Sequence, residues 1–201
     1  MSKVQVDTID TRSGTSTMQI GSTNTSTINI GVSGDTVNIP SGVTIANAGT
    51  ATGFGQTNTP YFLANMSGDQ TASDGAFAKI AFNNEVLDSA SAYDPTTNYR
   101  WTPQTAGKYF IYTSQTLYKS GTDLNDTRAY IYKNGSAELQ GSISQVSDQI
   151  SYAINYVGGI IQMNGSSDYV EAYGYVSTNS GASASFSSGN GSFWGGYFIA
   201  S

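Results

Sequence analysis

Neither cysteine nor histidine occurs in the 201 residues. Without thiols there is no disulfide and no thiolate metal site, and without imidazole the chain lacks the usual general base near neutral pH and the commonest metal ligand. Charge is also sparse: 8 Lys or Arg stand against 14 Asp or Glu, a net charge of −6. That balance opposes duplex nucleic acid and anionic membrane surfaces and suits neutral ligands such as glycans, so no nucleic-acid partner is expected. No stretch reaches the roughly 18 apolar residues of a membrane span, so no membrane insertion is expected. The opening MSKVQVDTIDTRSG has no apolar run of signal-peptide length, and Sec export is not expected either. No motif calls for a cofactor.

Aromatic residues are missing from the first 53 positions, 18 of which are Ser or Thr; apart from Phe54, every aromatic lies from Tyr61 onward. The break predicts a coreless segment over 1–58 and a head with its own core over 59–201. Within the first segment apolar couplets recur as Met18-Gln-Ile20-Gly21, Ile28-Asn-Ile30-Gly31, Val37-Asn-Ile39-Pro40 and Val43-Thr-Ile45. The alternation reads as short strands, each followed by a turning Gly or Pro. Two apolar residues per repeat hide too little surface to offset about 1–2 kcal/mol of backbone entropy per ordered residue. Three copies about one axis would hide more. A β-rich trimeric shaft is therefore expected over a disordered Ser/Thr-rich linker.

From Tyr61 the pattern changes to short strands separated by turn residues: 61–64, 76–82, 99–102, 108–118, 127–133, 150–163, 169–176 and 193–199. No helical periodicity occurs. In 108–118 the two faces read Tyr109, Ile111, Thr113, Gln115, Leu117 and Phe110, Tyr112, Ser114, Thr116, Tyr118. One face is expected to meet a second sheet and the other a neighbouring subunit or solvent. Asn134-Gly135 is a two-residue hairpin signal of the type I′ kind. The pattern predicts an all-β sandwich and leaves jelly-roll, immunoglobulin-like and barrel topologies open.

Two resemblances narrow this. "TIDTRSGTSTMQIG" and "STINIG" are similar to the shafts and anchors of bacteriophage tail and capsid fibres, which implies docking of Met1 to about Thr11 on other virion proteins. Over 61–200 the chain resembles the C1q/TNF family. The resemblance rests on "KIAFNNEVLD", "YDPTTNYRWTPQTAGKYFIY" with Trp101, Gly107 and Tyr109-Phe110, then Lys133-Asn134-Gly135 and Gly158-Gly159-Ile160. Asn164-Gly165-Ser-Ser-Asp168-Tyr-Val170 and Trp194-Gly-Gly196-Tyr-Phe198 complete it. It implies a ten-stranded jelly roll that forms a homotrimer, with both head termini at its base and recognition by distal loops. Phe193-Trp194-Gly195-Gly196 departs from the family's Phe-Ser-Gly-Phe ending and leaves open which aromatic enters the core.

Glu85 with Asp88, and Asp168 with Glu171, read as solvated carboxylates and not as a glycosidase pair facing across a substrate. Asp123-Leu-Asn-Asp126 lacks the Gly and bidentate Glu of a calcium loop and reads as a turn, although calcium binding in some C1q-like proteins keeps that question open. No catalytic residue and no metal site are assigned. The Tyr-rich strands (Tyr112, Tyr130, Tyr132, Tyr152, Tyr156, Tyr173, Tyr175) suit a core or subunit interface more than a sugar site. For receptor contact the candidates are Tyr93, Tyr118, Lys119, Asn125 and Asp126, expected at strand ends or in loops. The expectation is a non-enzymatic phage fibre, located in the virion, whose trimeric head binds a host receptor or glycan; the alternative is a cellular C1q-like recognition protein or adhesin.

Overall fold

The computed structural model describes residues 20, 23–24, 26–44, 46, 58–121, 124–144 and 150–201. The chain divides into two compact units, Met1–Gly53 and Phe54–Ser201.

In the first unit the run 26–44 contains turns but no strand. Val32 N donates to Asp35 Oδ2 (2.9 Å) and Asp35 N to the Val32 carbonyl (3.0 Å), closing a turn around Ser33-Gly34. A second turn closes where Val43 N donates to the Pro40 carbonyl (3.2 Å). The expected turns are there, and the expected strands are not. Ile28, Ile30, Val32, Val37, Ile39 and Val43 are all exposed. Among the described residues these couplets have no neighbouring strand to pair with and no surface to bury them. Met18, Gln19 and Gly21 of the first couplet, Ile45 of the last and the anchor Met1–Thr11 lie outside the described residues.

The second unit contains, among the described residues, thirteen strands: β1 (Tyr61–Asn65), β2 (Gln70–Ala72), β3 (Ala76–Lys79), β4 (Asn84–Asp88), β5 (Tyr93–Asp94), β6 (Arg100–Trp101), β7 (Ala106–Tyr118), β8 (Leu124–Lys133), β9 (Ser136–Ser144), β10 (Tyr152–Asn164), β11 (Val170–Thr178), β12 (Ala184–Ser187) and β13 (Phe193–Ala200). They build two antiparallel sheets. In the first, β4, β1, β13, β7 and β10 follow one another, and β12 pairs the far end of β7 and carries β2. In the second, β11 is paired on one side by β8, which carries β9, and on the other by β3 and β6, with β5 on β6.

The count corrects the expected ten. Two- and three-residue strands such as β5, β6 and β2 extend the long ladders locally and carry too few residues to show a period. The expected strand 76–82 also ends early, at Lys79. There Phe82 N bonds the Ile80 carbonyl and Asn83 N the Ala81 carbonyl, curling the chain, while the Gln70 amide takes up Lys79 O and Ala81 N. The Asn134-Gly135 hairpin forms between β8 and β9 with φ of 51° and 81°. Both values lie in the left-handed region that Asn tolerates and Gly adopts without steric cost.

Between the sheets lies a chain of rings. Phe62 stacks on Trp101 (4.6 Å between centroids) and Tyr93 (5.1 Å) and meets Trp194 edge-on (5.3 Å); Tyr109 bridges Trp101 to Phe198. Each such pair contributes about 0.5–1.5 kcal/mol beyond its buried area. Trp194, not Phe193, is the core aromatic of the last strand. The interior also holds polar side chains. Gln115 and Asn155 face each other across β7 and β10; Gln115 Nε2 donates to the Tyr173 carbonyl of the opposite sheet (3.0 Å), and Thr127 Oγ1 donates to Asn155 Oδ1 (3.4 Å).

Candidate functional site

The alternation expected for 108–118 holds as far as Tyr112: Tyr109, Ile111, Thr113, Gln115 and Leu117 are buried toward the second sheet, but Ser114 and Thr116 of the opposite set are buried as well. The opposite set builds the outward face of the first sheet. Cross-strand register aligns Tyr61, Tyr197, Phe110 and Ile160 in one row, and Leu63, Gly195, Tyr112 and Gly158 in the next. Phe193, Ser114 and Tyr156 follow, then Thr116 with Ile154 and Tyr118 with Tyr152. No residue in these rows carries a formal charge, and Ile160 is 62% exposed. Tyr112 lies over Gly195, where a Cβ would stand 2.5 Å from the phenol oxygen. Burial, then the Tyr156 and Tyr197 hydroxyls nearby, raise the Tyr112 pKa above that of a free phenol.

The outward face of the second sheet is aromatic too, but it carries charges in pairs. One row runs Phe77, Tyr175, Arg128, Ser142, and the next Lys79, Tyr173, Tyr130, Gln140. Phe77, itself 53% exposed, packs at 5.0 Å from the Tyr175 ring and 5.4 Å from the Tyr130 ring, and Tyr132 stacks on Tyr173 at 4.2 Å. The Arg128 guanidinium lies over Tyr175 (5.0 Å), and its Nε and Nη2 both donate to the Asp126 carboxylate. That bonding raises the Arg128 pKa. Lys79 Nζ donates to Glu171 Oε1 at 2.6 Å. Glu171 is therefore not the solvated carboxylate expected: only 4% of it is exposed, and the ammonium offsets its loss of water. Asp168 accepts from Asn134 Nδ2, Lys133 Nζ and Asn164 N, ties the β8–β9 hairpin to the loop before β11, and has a lowered pKa because of the Asn134 bond first.

The five receptor candidates do not converge. Tyr93 stands at a strand end, as expected, but is a core residue and not a contact for a receptor: it is 6% exposed, its hydroxyl donates to the Phe82 carbonyl (2.7 Å), and burial raises its pKa. Tyr118 is exposed on the first sheet, opposite Tyr152; Lys119 follows it and its N–H donates to the Ser151 carbonyl. Asn125 is the extra residue of a bulge, since Leu124 pairs Thr178 and Asp126 pairs Ser177. Asp126 faces outward from the second sheet, away from Tyr118. Asp123 lies outside the described residues, and among the described residues no group of three His, Cys, Asp or Glu is placed to hold a metal ion.

Sequence reasoning overlooked Phe77. Its signal is the alternation Ala76, Phe77, Ala78, Lys79, small residues inward and large ones outward on a four-residue strand.

No protein-family model matches the chain, and no curated protein matches it in sequence. Solved structures do. Murine APRIL at pH 5.0 superposes with a TM-score of 0.51 and 12% identity, over 69% of this chain and 98% of that one. The globular domain of zebrafish complement 1qA (TM-score 0.49, 10% identity, 70% and 97% covered) and Eiger TNF from S. frugiperda (0.49, 16%, 70% and 90%) are also similar. Sheet order, strand pairing and the APRIL superposition agree on one conclusion: the head has a C1q/TNF-like jelly-roll fold.

Proposed function

We propose that residues 59–201 form the trimeric head of a non-enzymatic bacteriophage fibre, carried on a shaft built from 1–58, and that the head attaches the virion to a host-cell receptor, probed first as a glycan. The observation that carries the reading is the aromatic and aliphatic outward face of the first sheet, whose rows from Phe110 to Tyr118 are uncharged, with Lys108 at their margin. Large apolar patches of this kind are characteristic of subunit interfaces, where Tyr and Phe are enriched and charges depleted. The three-fold count follows the resemblance to the C1q/TNF family. The exposed couplets of 26–44 support assembly too, because among the described residues they have no strand mates.

Light scattering on the purified chain at micromolar concentration is expected to give the mass of three chains, near three times 21.1 kDa; a monomeric mass overturns the trimer. Antibody against the head is expected to decorate fibres on intact particles. Bare particles would remove the virion assignment and leave a C1q-like recognition protein as the surviving reading.

A further inference from the structure

We propose that the outward face of the second sheet is a platform for a neutral oligosaccharide, stacked on the exposed Phe77 ring, which Tyr175 and Tyr130 hold in place, and hydrogen-bonded by the Arg128–Asp126 pair. The inference rests on the reading above that the head contacts a cell surface; it names the site and the ligand chemistry.

Three features of the face select that ligand. The rings are already ordered: Phe77 is fixed against Tyr175 and Tyr130, and Tyr175 is covered by the Arg128 guanidinium, so contact immobilises little that is still free. A pyranose presents an apolar C–H face and a rim of hydroxyls. The row Phe77, Tyr175, Arg128, Ser142 offers the same order, apolar rings and then donors and acceptors, across neighbouring strands about 4.8 Å apart. Charge decides the rest. Lys79 is matched by Glu171 and Arg128 by Asp126, so this part of an acidic chain is locally balanced. Beside Phe77 an anionic glycan would have to break a formed pair to gain Lys79 or Arg128, Arg100 lying further along β11 opposite Glu171, whereas a neutral one bonds to the pairs as they stand. The face also lies on the opposite side of the sandwich from the uncharged first-sheet face, so it stays open when that face is covered.

The test is calorimetric titration of the intact chain with hexasaccharides of glucose, galactose, mannose and N-acetylglucosamine, alongside sialylated and sulfated oligosaccharides, paired with adhesion of the chain to host cells. At least one neutral sugar is expected to bind. Phe77→Ala and Tyr175→Ala are each expected to weaken it tenfold or more, Tyr175→Phe to retain most of the affinity, and Gly68→Ala, at a position with open space around it, to change nothing. Melting curves confirm that the variants fold. Neutral-sugar binding unaffected by Phe77→Ala and Tyr175→Ala overturns the platform while leaving surface attachment standing. Binding of charged sugars only, or of none, overturns the ligand class. Adhesion that is lost with Phe77→Ala while no sugar binds assigns the face to a protein receptor and also overturns it. Adhesion absent from the unmodified chain is the separate failure of the attachment reading.

Discussion

The two outward faces of the sandwich use the same device to different ends. Each lays rings on alternate positions of long strands: Phe110, Tyr112 and Tyr156 on the first sheet, Tyr130, Tyr173 and Tyr175 on the second. The first face leaves its rings uncharged and seats Tyr112 in the space left by Gly195; the second threads Lys79, Arg128, Asp126 and Glu171 among them. Alternation therefore says which side a residue faces, and charge says what that side tolerates. An uncharged face gains most from full burial against copies of itself, while paired charges lose hydration on burial and favour a wet, separable contact.

The comparison breaks most visibly if both faces respond alike to a buried charge. Ile154→Asp combined with Tyr156→Asp is expected to reduce the light-scattering mass to that of one chain, whereas Phe77→Asp leaves it unchanged. Gly195→Val comes next. Its new side chain meets the Tyr112 ring and the Phe62 carbonyl, and overpacking of this kind costs about 1–3 kcal/mol, read from urea midpoints. Gly68→Ala, with open space around it, is the control. Within the second face the two pairs are expected to differ. Lys79→Met strands the buried Glu171 carboxylate at a cost of about 1–3 kcal/mol, whereas Arg128→Met removes a more exposed pair and stays within about 1 kcal/mol.

The smallest effect is on the acid side. Bonds from the Thr97 N–H first, then from Thr96 and Asn98, hold the Asp94 carboxyl below the ordinary carboxylate range, and the Ser188 N–H does the same for Asp69. A folded pKa below the unfolded one stabilises the fold above about pH 4, and this is lost as pH falls through the folded value. Melting temperature is expected to be level from neutral to about pH 4 and then to decline, with a shallower decline in Asp94→Asn.

Much of the sandwich was legible because its long strands largely alternate, and Asn134-Gly135 marked its hairpin. The strands that escaped notice had physical reasons to. β4 is an edge strand whose Asn84, Glu85, Val86 and Leu87 are all exposed, and β9 is an edge strand with a bulge at Glu138, so neither shows a buried side. Tyr93 escaped for the opposite reason. On a two-residue strand nothing in the local pattern distinguishes a core ring from a loop ring, and only Phe62, far away in sequence, makes it one. The charged pairs were illegible in the same way, because Lys79 and Glu171 meet only through register.

The amides of Gln115 and Asn155 matter for choosing among misfolded alternatives. A two-residue slip of β7 against β10 preserves inward and outward faces, so hydrophobic patterning alone would accept it. With β10 sliding past β7 it would also place Ala153 or Val157 opposite Gln115 and draw Asn155 away from Thr127, removing the bond to an amide whose Nδ2 already has no partner, at about 1–3 kcal/mol. The polar end of the core thus works as a proofreading mark for strand alignment, making the near-miss pairing costly enough to be abandoned while the sandwich assembles.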